Sequence, residues 1–148
     1  MAFYLGRRSL SRLEGVHPDL IRVVKHAIRV SVCDFTILEG VRSIERQRKL
    51  FQAGASKIMN SRHIAKVSLN SPELGPVGHA VDLGAYVDGT VRWDWPLYYQ
   101  IANAMKLASL EEDVLIRWGG DWDSDGDYDD ERWRDGPHFE LPRKLYPE

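Results

Sequence analysis

Residues 78–94 read GHAVDLGAYVDGTVRWD, and this stretch decides the fold. Strand-forming residues run up to Val87, Asp88-Gly89 interrupts them, and Thr90-Val91-Arg92 resumes the pattern. Asp-Gly supplies the positive φ angles of a two-residue turn, so the segment predicts a β-hairpin. Upstream, Pro18 sits near the first position of a helix over residues 18–30, where Leu20, Ile21, Val24, Ala27 and Ile28 recur at helical spacing. Residues 32–41, VCDFTILEGV, are rich in strand formers and end near Gly40. Ser43 offers an N-cap to IERQRKLFQAG, a second helix stopping at Gly54. Downstream of the hairpin, Asp94 can cap a third helix with Pro96 in its first turn and Ile101, Met105 and Ala108 close to one face. VLIRW (114–118) and HFEL (138–141) read as further short strands. The order predicts an α+β domain in which helices cover a small, mostly antiparallel sheet.

With 148 residues, 43% hydrophobic and 28% charged, the chain suits one globular domain with a real core and is too short for a domain plus a separate targeting module. There is no internal repeat and no linker long enough to divide it. The opening MAFYLGRRSLSRLEG lacks the apolar core of a secretory leader, and no stretch approaches a membrane span. A protein made and kept in the cytosol until released is therefore expected. The single cysteine, Cys33, excludes an internal disulfide and reads as a buried small hydrophobe in a strand. Net charge is −2, against a general nucleic-acid binder, but the charge is bipolar. Residues 1–66 hold 13 Lys/Arg against 5 Asp/Glu, and the remainder 7 against 17. Two readings stand: a basic half that steers the molecule toward an anionic polymer beside an acidic half that binds cations, or two halves that neutralise each other on folding.

Catalytic zinc takes three protein ligands from His and carboxylate side chains, leaves a position for water, and works with a nearby carboxylate that accepts that water's proton. Five histidines are available. His17 and His26 belong to the first helical segment as a helix start or a polar surface position, which leaves His63, His79 and His138. Strand alternation sends His79 and Asp82 to opposite faces, so if Asp82 is a ligand His79 is a bystander. Asp135-Gly-Pro-His138 places a carboxylate close to a histidine through a tight turn, and His138 and Glu140 share a strand face.

Ser61-Arg-His63, Gly78-His-Ala80-Val-Asp82 and Asp135-Gly-Pro-His138 resemble the S-x-H, G-x-A-x-D and D/E-x-x-H signatures of the zinc peptidases that include VanX- and VanY-type D,D-peptidases. The match is closest to phage endolysins that are L-alanyl-D-glutamate peptidases. FTILEGVRS with the following Gln47, and the acidic RWGGDWDSDGDYDDE, extend the resemblance over nearly the whole chain. It implies zinc ligands His63, Asp82 and His138, and Asp135 as the catalytic carboxylate. Arg42 is implied to stabilise a polarised carbonyl or a substrate carboxylate, a task that suits a guanidinium. Gln47 and Ser61 are substrate-side candidates, each with a plain structural alternative, a solvated helix face and a turn serine. The departure from the family is an insertion: 14 residues, 64–77, separate His63 from Gly78 where the family pattern has two. Closure entropy rises by only about 0.6 kcal/mol per doubling of loop length, so His63 still reaches the metal. The insertion is expected to form a surface loop whose ends return together, and either to shape a rim of the substrate cleft or to be a plain excursion.

Asp121, Asp123 and Asp125 followed by Gly126 match the start of an EF-hand calcium loop, but position 12 holds Arg132 instead of Glu. The alternatives are a shortened Ca2+ loop closed by Asp130 that acts as a switch on Asp135 and His138, or a solvated acidic loop. Of Trp93, Trp95, Trp118, Trp122 and Trp133, most read as packing, with one or two left for a glycan-peptide groove. The function implied by the resemblance is zinc-dependent hydrolysis of the L-alanyl-D-glutamate bond of bacterial peptidoglycan by a monomer that a holin-type route exposes to the wall. Alternatives are a D,D-dipeptidase or carboxypeptidase on the same scaffold, a non-catalytic zinc- and calcium-dependent wall-binding domain, and an unrelated calcium-binding protein.

Overall fold

The computed structural model describes residues 2–56, 58–129 and 134–148. Along the chain run α1 (Arg7–Arg12), α2 (Pro18–Val30), β1 (Phe35–Glu39), α3 (Ile44–Gln52), β2 (Lys66–Val67), a 3-10 turn (Pro72–Leu74), β3 (Pro76–Val77), β4 (Ala80–Val87), β5 (Thr90–Arg92), α4 (Trp95–Glu112), β6 (Arg117–Trp118) and β7 (His138–Glu140). The main sheet has the order β1-β4-β7-β6, with β5 also paired to β4, and every pairing is antiparallel. The expected α+β class holds.

β4 is the axis of this arrangement. Asp88 and Gly89 both have positive φ, the turn that the Asp-Gly pair predicts, and they fold β5 back on β4. β7 pairs with β4 on the same edge as β5 and β1 on the opposite edge, so Asp82 lies opposite Glu39 on one side and His138 on the other. A register shift between Ile37 and Glu39 bends the end of β1 at that point.

The helices are placed by burial. Pro18 opens α2, with His17 as the N-cap whose Nδ1 accepts from the Asp19 amide at 3.0 Å. Leu20, Val23, Val24, Ala27 and Ile28 face inward; Val23 rather than Ile21 completes the core stripe. α4 buries Tyr98, Ile101, Ala102, Met105 and Ala108 against the same core and ends at Asp113 in the left-handed conformation. Asp94 is its N-cap residue but makes no capping bond, because its carboxylate pairs instead with Arg92 at 2.9 Å. The Tyr98 hydroxyl donates to the Arg92 carbonyl at 2.7 Å and accepts from the Ala85 amide at 3.2 Å, fastening helix to hairpin.

One element goes unread in the sequence, and two local expectations change. α1 carries too little apolar periodicity to be read from RRSLSR; it is held by tertiary bonds, with Ser9 Oγ accepting from the Ile37 amide and bonding Thr36. Cys33 is buried but precedes β1, in a turn made by Ser31, and burial pushes its thiol pKa up. Of residues 114–118 only Arg117 and Trp118 pair, since β7 offers just three residues beside them. Leu83, fully buried in β4, tests the core: Leu83→Ala should lower unfolding free energy by about 2–5 kcal/mol in a urea titration.

Candidate metal centre

Three strands and one turn converge on Asp82. His63 precedes the insertion, in a turn shaped by Ser61, whose Oγ accepts from the His63 amide at 3.1 Å. The His63 carbonyl accepts from the Arg42 amide, and the Arg62 carbonyl accepts from the His79 amide, so both sides of His63 are stitched to the sheet. His63 Nε2 lies 3.2 Å from Asp82 Oδ1, and His138 Nδ1 lies 3.3 Å from the same oxygen. Among the described residues, His63, Asp82 and His138 form one of two groups that could hold a metal ion. Tetrahedral ligands about 2.0–2.1 Å from zinc stand about 3.3 Å apart, so these separations fit that ion.

The other ring nitrogens fix the tautomers. His63 Nδ1 lies 2.8 Å from the Gly40 carbonyl, an acceptor only, so Nδ1 carries the proton and Nε2 is free to ligate. His138 Nε2 lies 2.8 Å from the buried Glu140 carboxylate, which leaves Nδ1 toward Asp82. Burial alone would lower the pKa of His138, but the bonds to Asp82 and Glu140 outweigh it and push the pKa up to about 9. Burial would raise the pKa of Asp82; its bonds to His138 and His63 win and hold the carboxyl far below the usual range. An ionised carboxylate facing two imidazoles with fixed tautomers is a donor set suited to a divalent cation.

Asp135 reaches the site through the Gly-Pro turn. Its amide donates to the Gly119 carbonyl at 2.8 Å, and the His138 carbonyl accepts from the Gly119 amide at 2.8 Å. A Cβ on Gly119 would lie 2.2 Å from the Asp135 carbonyl oxygen, so only glycine permits this approach. Burial, and then the charge of Asp82, raise the pKa of Asp135, while His138, His63 and Arg42 pull against them. A carboxylate with a raised pKa beside a metal group is suited to proton transfer.

Arg42 lies inside the site but is largely committed. Its Nε and one terminal nitrogen grip Glu39 at 2.8 and 2.9 Å, the other donates to Gln47 at 2.7 Å, and Asp82 is 3.5 Å away. Gln47, expected on the substrate side, is fully buried, with its amide nitrogen donating to Ser56 Oγ and the Ile58 carbonyl. Ser61 is buried too. Both side chains are buried, Gln47 behind Arg42 and Ser61 behind His63, rather than exposed on a helix face or a surface turn.

His79 points away from the metal group into a separate polar pocket with His17, Arg62 and Glu148. Burial, aided by the Arg62 charge, lowers its pKa to about 4, so it is neutral. The insertion pairs its ends as β2 and β3 and bonds to the carbonyls of Pro147 and Leu145 through Leu69 and Asn70. Those bonds run to residues 145–147 and not to the metal group.

The acidic segment lies beside the site. Asp121, Asp123 and Asp125 can each direct an oxygen into one space. Asp121 accepts from the amides of Asp125 and Gly126, which lower its pKa, but burial, the Asp123 carboxyl and the Asp125 charge outweigh them and raise it. Asp130 and Trp133 lie outside the described residues. Trp122, from the same segment, packs its ring 5.3 Å from that of His138. Residue-type reasoning does not assign Glu140, Gly40 or Gly119; only the shared strand face of His138 and Glu140 hinted at the first. Glu140→Gln should weaken zinc binding by about tenfold or more in a competitive chelator titration.

Residues 1–142 match the sequence model of the phage L-alanyl-D-glutamate peptidase family. The chain is 32% identical over 148 residues to the L-alanyl-D-glutamate peptidase of Escherichia phage T5, covering 95% of this chain and 99% of that protein. It is 27% identical over 113 residues to the peptidoglycan L-alanyl-D-glutamate endopeptidase CwlK of Bacillus subtilis, covering 73% of this chain and 60% of that one. The crystal structure of the Serratia marcescens L-Ala D-Glu endopeptidase ChiX superposes with a TM-score of 0.77 at 40% identity, over 96% of this chain and 92% of that one.

Proposed function

The chain belongs to the phage L-alanyl-D-glutamate peptidase family and is a peptidase that cleaves the L-Ala–D-Glu bond of peptidoglycan; we propose that it does so with one zinc ion held by His63 Nε2, His138 Nδ1 and Asp82. The observation that carries this reading is the spacing of the three ligand atoms, 3.2 and 3.3 Å about the Asp82 oxygen, with both imidazole tautomers fixed from behind. Held there, a zinc ion would supply Lewis acidity to the scissile carbonyl and would acidify water.

The chain's own residues carry the proton work. Asp135 accepts a proton from the attacking water and returns it to the leaving amine of D-Glu. Arg42 orients Asp82 and Glu39 and keeps one of its five N–H groups for the oxygen that gains negative charge. Asp135→Asn should abolish turnover while zinc content, read by atomic emission, stays near one per chain. His63→Ala should lose the metal; a His63→Ala protein with full zinc and full activity would overturn the ligand assignment. Because Asp135 must be ionised to act and its pKa is raised, kcat/KM should climb with pH along an acid limb centred above the ordinary aspartate value of about 3.9.

Asp121, Asp123 and Asp125 are proposed to hold Ca2+, with Trp122 transmitting the order of that loop to His138. Chelating calcium from the zinc-loaded protein should then slow hydrolysis, and an unchanged rate would reject the switch. No helix among the described residues is long and apolar enough to cross a membrane. As a phage-type wall hydrolase, the protein is proposed to act as a monomeric, single catalytic domain that reaches its polymer from the host cytoplasm through a holin-type lesion.

A further inference from the structure

Beside Asp135 opens a pocket of about 330 Å3 whose walls are Trp93, Trp95, Tyr98 and Arg134 and whose floor is Gly136. The walls contact one another. Trp93 stacks on Tyr98 with centroids 6.2 Å apart and planes 5° from parallel. Trp118 Nε1 donates to the Gly136 carbonyl at 2.7 Å, and a Cβ on Gly136 would lie 3.3 Å from the Trp95 ring, so the glycine keeps the floor low. The guanidinium of Arg134 lies 4.2 Å from the Trp95 ring centroid. A guanidinium on an aromatic face is held in orientation while its in-plane N–H fork stays open to a carboxylate. Among the described residues no carboxylate pairs with Arg134.

The substrate brings a carboxylate to this place. In the stem peptide the chain continues through the γ-carboxyl of D-Glu, so the carbon bearing the scissile nitrogen also bears a free α-carboxylate. That group lies on the leaving side, where Asp135 returns the proton. Arg42 is poorly placed to receive it, because four of its N–H groups already face Glu39, Gln47 and Asp82. Arg46 is likewise paired with Glu39. Resting on the L-Ala–D-Glu reading above, we propose that this pocket is the leaving-side subsite, with Arg134, held on Trp95, taking the free α-carboxylate of D-Glu. The enzyme then selects D-Glu over its α-amide, D-isoglutamine, at this position.

The test is a two-by-two comparison of kcat/KM by mass spectrometry. Two synthetic stem tetrapeptides, one with D-Glu and one with D-isoglutamine, are digested by the zinc-loaded wild type and by Arg134→Gln. The wild type should prefer the acid by about 10- to 100-fold, the range of one charge-assisted pair. Arg134→Gln should lose that factor on the acid, change little on the amide and keep its zinc. Arg134→Lys should recover part of the preference, since the charge returns without the planar fork. Equal loss on both substrates, or a preference that survives in Arg134→Gln, would overturn the proposal. So would a wild type indifferent to amidation in which Trp93→Ala slows digestion of sacculi but not of the free peptide, because the pocket would then seat a sugar. A wild type that cuts neither peptide at L-Ala–D-Glu would reject the proposed function and the subsite with it.

Discussion

The charge on Asp82 is the constraint around which the other polar contacts of the site are arranged. A carboxylate in a largely water-excluded site must be met by positive charge or by donors, and here two imidazoles and a guanidinium converge on it. Each of those groups is answered in turn: His138 by Glu140, His63 by the Gly40 carbonyl, and Arg42 by Glu39. The result is an alternation of donors and acceptors from Glu140 across the sheet to Glu39. A divalent cation held between the two imidazoles and Asp82 would leave the outer bonds to Gly40 and Glu140 in place.

That alternation depends on backbone register more than on side-chain choice. Asp82 faces His138 because β4 and β7 pair as they do, and it faces Glu39 because β1 shifts register before its last residue. A one-residue slip would turn Asp82 away from both partners. Two glycines protect the geometry at close approaches. A Cβ at Gly40 would lie 2.0 Å from the Arg12 carbonyl oxygen, and one at Gly119 would strike Asp135. The 64–77 insertion leaves the register intact because its ends pair with each other and its middle bonds to residues 145–147. Length added at a hairpin tip costs only closure entropy.

The two arginines near the site differ in their surroundings, and the proposed division of catalysis and recognition between them rests on that difference. Arg42 is enclosed by acceptors, whereas Arg134 lies against an aromatic face with no carboxylate partner among the described residues. The pocket next to Asp135 is thereby proposed to combine a proton-transfer group with a carboxylate receptor on the same side of the scissile bond. Trp122 connects the acidic segment to this region through its contact with His138.

The sequence by itself determined the parts whose signals are local. Asp88-Gly89 could make little but a tight turn, the apolar period of residues 18–30 marked a helix, and strand alternation separated His79 from Asp82. The order of the Ser61, Gly78 and Asp135 motifs gathered the metal group that the structure brings together. What only the tertiary structure decided rests on partners distant in sequence or on backbone atoms, which leave no side-chain pattern to read. The Gly40 carbonyl selects the tautomer of His63 from 23 residues away. α1 exists because Ser9 finds Ile37 and Thr36, not because RRSLSR favours a helix. Gln47 and Ser61 look exposed in a linear chain and are buried once folded, since burial is a property of the packed whole. Arg42 and Arg134 are the same residue type to a reader of sequence, and only the packing of Glu39, Gln47 and Trp95 around them gives one an enclosed role and the other an open one.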